Sequence, residues 1–220
     1  MVKEIYDIMQ QVTVALYITN LFFALRLRKM SLSNDIFYNF FWYPLIGCCI
    51  GIAYELYFFE VLNKDIYKVI INSSILFHYA FLSFFIFKAV GYKIIMKRFI
   101  LINFIVVVAL VVFDILAYST VSAGYANAIL CGLCIYYFYF LLDNPNVPIL
   151  FSNPIFLIVV GIFIGCVFIF PFSILNKYIA KSHISRNSVY ILGTIGRMGP
   201  VIMNIVFLKA LLCKFQLSKS

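Results

Sequence analysis

Seven long apolar runs, separated by short polar breaks, fill the chain. Each is near the length of about 20 residues that a helix needs to cross about 30 Å of hydrocarbon at 1.5 Å per residue. The runs fall at about 5–25, 37–59, 69–90, 99–118, 126–142, 154–175 and 188–212. They predict an all-α fold, a polytopic seven-transmembrane-helix bundle that forms one domain over residues 1–220.

The breaks and irregularities refine this pattern. Gln10, Gln11, Thr13, Thr19 and Asn20 dilute the first run, and Arg26, Arg28 and Lys29 end it. A cleaved leader has its basic flank in front and a small-residue site behind, so this run reads as a retained helix. Gly47 with Gly51, and Gly161 with Gly165, are small-xxx-small pairs that let helices approach closely. Ser119 to Tyr125 reads as a tight turn, Asp143 to Pro148 as a strong break, and Asn176 to Asn187 as a basic loop. Asn153-Pro154 opens the sixth run, since proline in a first turn leaves no amide unpaired. Gly193, Gly196, Gly199 and Pro200 predict a kinked or partly unwound last helix.

Composition explains why the runs face lipid. The chain is 65% hydrophobic and 11% charged, whereas a soluble domain carries about 25% charged residues. Seven spans leave no room for a separate catalytic module. The CGLC motif at Cys131 and Cys134 lies inside a span, where two small packing residues are expected rather than a redox or metal pair.

The net charge of +9 sits in the breaks and reports orientation, not nucleic-acid binding. Loops 1, 3 and 5 with the carboxy terminus hold ten basic residues against two acids; the opposite side holds six against four. The richer side is expected in the cytoplasm, with the amino terminus outside a bacterial inner membrane.

Four titratable residues stand inside runs: Glu55, His78, Asp114 and Arg197. Such groups are costly in lipid and are candidates for binding a ligand or ion. An arginine left alone at the bilayer centre costs at least about 2.5 kcal/mol, so Arg197 is expected to pair with Glu55 or Asp114. His78, at similar depth, would join that network and make it respond to pH near about 6.5. A structural lock, a small-ligand or ion site open to the outer face, and a proton path all remain open readings. For His78 alone, a hydrogen-bonded core histidine is the plainer one. No HExxH, G-x-S-x-G or phosphate-binding loop is present, so no catalytic residue, metal or cofactor is expected.

Three segments, SSILFHYAFLSFFIF (73–87), YYFYFLLDNPNVPILFSNPIFLIVVGIFI (136–164) and ILGTIGRMGPVIMNIVFLKALLC (191–213), resemble small seven-helix integral membrane proteins of Bacteroidetes-type bacteria. The likeness spans about two thirds of the chain and implies seven spans, but no activity. Arg197 and Pro200 depart from its pattern.

These features together point to a receptor-like or signalling protein without its own output domain. Its expected partners are membrane lipids, a cytoplasmic protein reached through the basic loops, and a second copy of itself. An ion channel, a pore-forming defence effector or a small transporter is the alternative.

Overall fold

The computed structural model describes residues 2–30, 35–91, 93–117, 121–143, 150–181 and 186–217. They form seven α-helices: α1 (Val2–Met30), α2 (Trp42–Phe58), α3 (Lys64–Ala89), α4 (Ile94–Ala117), α5 (Val121–Leu142), α6 (Pro154–Lys181) and α7 (Arg186–Leu217). Six are long and apolar enough to span a membrane. The exception is α2, which has 17 residues.

Local chemistry sets several boundaries. The Asn63 side chain accepts from the Asp65 amide at the start of α3 (2.9 Å). Asn153 does the same for Ile155 and Phe156 in front of α6, directly before Pro154. Each side chain satisfies amides that a first helical turn leaves without backbone partners. The strong break expected at 143–148 lies largely outside the described residues, as do 182–185 of the basic loop, His183 among them, and 119–120 of the expected turn. From Val121 that turn is already helix α5.

Six helices form a ring in the order α1, α2, α3, α5, α6, α7, and α7 closes it against α1. The remaining helix, α4, lies outside and packs on α3 and α5. This position accounts for its largely aliphatic sequence: Ile95, Ile102, Ile105, Val112 and Leu116 are all exposed, where lipid would cover them. Helices α1 and α7 run parallel. Tyr6 lies beside Gly193, Asn20 bonds to Asn204, and Arg26 stacks over Phe215.

Glycines set the closest approaches. A Cβ on Gly47 would fall 2.3 Å from the Tyr17 ring, and one on Gly51 would fall 2.7 Å from Val14. Gly161 meets Phe207 and Gly165 meets Met203. Both small-xxx-small pairs thus lie at helix contacts. The last helix is not unwound at its glycines and proline; α7 is continuous from Arg186 to Leu217. Gly196 and Gly199 pack against Phe172 and Phe168 of α6, and Asn204 Nδ2 donates to the carbonyl of Pro200 (2.8 Å). The glycines serve contact with α6, and at Gly193 with Tyr6 of α1, rather than looseness.

The second run departs from a plain span. Residues 35–41 are turns, and the helix starts only at Trp42. Phe37, Phe40 and Phe41 are nevertheless buried, packed on Phe81, Phe85 and Phe207. The segment therefore enters the bundle and fills it beside the last turns of α3 and α7. Irregular backbone is tolerated at depth only where protein satisfies it. Here Asp35 accepts from Phe37 and Tyr38, and Phe37, Asn39 and Phe40 carbonyls accept from Phe40, Trp42 and Tyr43. Asp35 also pairs with Lys214 at 2.7 Å, which ties the segment to the end of α7.

The α6–α7 contact yields a direct test. Gly199→Ala would place its Cβ 2.6 Å from the Phe168 Cβ, whereas Gly132→Ala meets nothing within 4 Å. Overpacking costs about 1–3 kcal/mol. Thermal unfolding in detergent is expected to show a clear loss for Gly199→Ala and none for Gly132→Ala. Equal stability of the two variants would contradict this packing.

Candidate functional site

The ring holds a partly open cavity of about 200 Å3, lined from all six of its helices. Tyr17 comes from α1, Tyr43 from α2, His78 and Tyr79 from α3, Asn127 from α5, Cys166 from α6, and Pro200 and Met203 from α7. The surrounding wall is aliphatic: Ile75, Leu82, Leu130 and Ile169. Neither a carboxylate, a lysine nor an arginine lines it, so His78 is its one ionisable nitrogen base.

The ring of His78 is oriented from two sides. Its Nδ1 lies 2.8 Å from the carbonyl of Ser74. A carbonyl can only accept, so Nδ1 carries the proton, and in the neutral ring Nε2 is left as an acceptor. Tyr43 meets the imidazole edge-on, with centroids 5.3 Å apart. Tyr43 also donates to the Met203 sulfur at 3.7 Å and lies 5.9 Å from the Tyr17 ring. The cavity wall therefore links α1, α2, α3 and α7 through aromatic contacts. The hydroxyls of Tyr79, Ser83 and Ser122 are buried; those of Tyr79 and Ser83 lie next to each other, whereas that of Ser122 has no hydrogen-bond partner among the described residues. Tyr79 lies on the cavity wall.

Arg197 does not pair with either predicted acid. Its Nη2 donates to the Tyr6 hydroxyl at 2.6 Å, and its guanidinium lies 4.0 Å from the centre of that ring and 5.3 Å from that of Tyr54. The reason is the ring order. Helix α7 faces α1, so the nearest partner is an aromatic side chain of α1, and its π face accepts the cation. Tyr57 and Tyr67 stack at 4.5 Å and extend the aromatic cluster through Tyr54.

Asp114 is fully buried on α4, and its carboxylate caps α5, accepting from Ser122 at 2.7 Å and Val121 at 3.2 Å. The positive end of a helix stabilises a carboxylate there. The Lys68 amino group donates to the neighbouring Ile115 carbonyl. Asp114 is therefore a fastener for the α4–α5 turn. Glu55 is half-buried at a polar cleft shared with Asp7, Gln10, Gln11 and Tyr54. His78 joins neither group. It shares Tyr43 with Met203, six residues beyond Arg197 along α7 and so roughly 9 Å deeper.

The four expected residues thus lie apart, with Tyr54 as a common neighbour of Arg197 and Glu55, and only His78 lies on the cavity. The polar residues that sequence reasoning passed over are Tyr6, Tyr17, Tyr43, Tyr79, Asn20 and Asn204. Asn20 and Asn204 are fully buried and bond across α1 and α7. One signal was available: Tyr17 and Tyr79 stand well inside their runs, whereas tyrosine favours the ends. All six cysteines are free, and among the described residues no group of three His, Cys, Asp or Glu side chains could hold a metal ion. No protein-family model matches the chain, and neither a curated protein nor a solved structure matches it.

The Arg197 geometry predicts coupling to Tyr6 rather than to an acid. Arg197→Gln is expected to lower stability by about 1–2 kcal/mol through loss of the aromatic contact. Adding Glu55→Gln should restore nothing, while Tyr6→Leu should cost less once Arg197 is gone than it does in the natural chain. A double-mutant cycle on thermal unfolding measures this coupling. Rescue by Glu55→Gln would contradict the assignment.

Proposed function

We propose that this protein is a receptor-like membrane protein that binds a small, uncharged molecule in its central cavity and passes the binding event along α7. The observation that supports this best is a cavity bounded by six helices whose wall is apolar except for one oriented histidine, the Asn127 amide and the hydroxyls of Tyr17, Tyr43 and Tyr79. At about 200 Å3 it is smaller than the roughly 300–1,000 Å3 typical of drug-sized ligands. A charged ligand would lose its hydration with no counter-charge in the wall. A compact neutral molecule with a hydrogen-bond donor fits: the donor meets His78 Nε2 and an apolar body meets the aliphatic wall.

The output side follows from α7. Pro200 and Met203 line the cavity, while Lys214 on the same helix holds Asp35 of the inserted segment. A ligand that shifts α7 would act on that ion pair and on the basic residues beside it, Arg26 and Arg28. Those groups stack on Phe215 and Phe41, and they are where a separate acidic partner would read the change. A pore within one copy is less well supported, because Phe37, Phe40 and Phe207 pack the bundle between the cavity and its Lys214 end.

Small neutral donors such as phenol and indole are suitable probes. Trp42, the single tryptophan, is next in sequence to Tyr43 of the cavity wall and serves as a fluorescence reporter. Saturable quenching or a saturable rise in melting temperature is expected for the natural chain. Ala126→Leu, which fills the cavity, should abolish it. Ion flux through reconstituted liposomes, or an equal response from Ala126→Leu, would overturn this reading.

A further inference from the structure

We propose a second binding site, on the outside of the ring: the groove between α4 and α5 holds one acyl chain of an anionic glycerophospholipid, with the lipid phosphate on Lys93. The groove has about 660 Å3 and is walled by Ile94, Met96, Phe99, Leu133 and Tyr136, with Gly132 along its length. Gly132 differs from the glycines that seat helices on one another. A Cβ there meets nothing within 4 Å, so its lack of a side chain leaves a channel open rather than permitting a helix contact.

The occupant follows from shape and charge. From Phe140 to Gly132 the groove side of α5 runs roughly 12 Å, long enough for the upper part of an acyl chain. A packed helix, about 10–12 Å across with its side chains, is too wide for a channel opened by one missing side chain. At the mouth, the Lys93 ammonium is held 5.0 Å from the Phe140 ring and 3.4 Å from the Tyr136 hydroxyl. This holds a positive charge at the level where a headgroup sits above its chain. Lys97 and Arg98 follow within the next turn and are exposed. A phosphodiester with no compensating cation of its own complements this cluster; a zwitterionic headgroup brings a positive charge that the cluster repels.

The test uses the full chain in detergent, titrated with dioleoylphosphatidylglycerol or dioleoylphosphatidylcholine and read by native mass spectrometry. One retained equivalent of phosphatidylglycerol is expected, held more tightly than phosphatidylcholine. Lys93→Gln should weaken the phosphatidylglycerol adduct about fivefold, as expected for one basic group near an anionic headgroup, and leave phosphatidylcholine unchanged. Gly132→Leu should remove the retained adduct of either lipid. Lys93 is exposed, so its variant keeps the test decisive even if Gly132→Leu lowers the folded yield. The proposal is overturned if Lys93→Gln keeps the full preference, if folded Gly132→Leu still retains the lipid, or if the groove proves covered by a second copy in a dimer that added lipid does not displace.

Discussion

Helices in lipid gain little by burying apolar side chains, because the surrounding tails are as apolar as their own surfaces. What holds this bundle together is close contact, and the glycines of α2, α6 and α7 decide where that contact occurs. Gly47 and Gly51 seat α2 on α1, while Gly161, Gly165, Gly196 and Gly199 seat α6 and α7 on each other. Side chains fill the space these glycines release: Tyr17, Phe168, Phe172, Met203 and Phe207. The tight half of the ring, α2–α1–α7–α6, is built this way, and the cavity opens between it and α3 with α5.

Polar groups follow the same logic, since each must be satisfied without water. Thr13, Asn103, Asn127 and Ser173 return to carbonyls one turn earlier in their own helices. Asp114 and Lys68 serve backbone groups at the α4–α5 turn. Asp35 and Lys214 stabilise the inserted segment at the opposite end. Against this background, a histidine with one committed nitrogen stands apart, and it lies on the cavity wall beside the buried Tyr79 hydroxyl.

Much of the fold was legible because span length and apolarity act locally. The Gly47–Gly51 and Gly161–Gly165 pairs and the Asn153-Pro154 opening carried their roles in the sequence itself. The start of α2 did not, because residues 37–41 are aromatic apart from Asn39 and only their packing separates turn from helix. The partner of Arg197 was hidden for another reason. Formal charge suggested Glu55 or Asp114, but partner choice depends on helix order and rotation, and these bring Tyr6 to it. The same rotation selects His78 for the cavity and leaves Glu55 at the edge of α2. For the place of α4 outside the ring, the trace in the sequence was its long aliphatic stretch, much of which is exposed.

The central claim is that His78 presents Nε2 to the cavity as a hydrogen-bond acceptor. The chain has two histidines, so nitrogen-15 NMR of histidine-labelled protein, with His183→Gln to assign the signals, observes that atom directly. The account predicts a neutral ring protonated on Nδ1, with an Nε2 resonance that moves on saturation with phenol and does not move in Ala126→Leu. A proton found on Nε2 instead, or an Nε2 resonance indifferent to every small neutral donor, would contradict it.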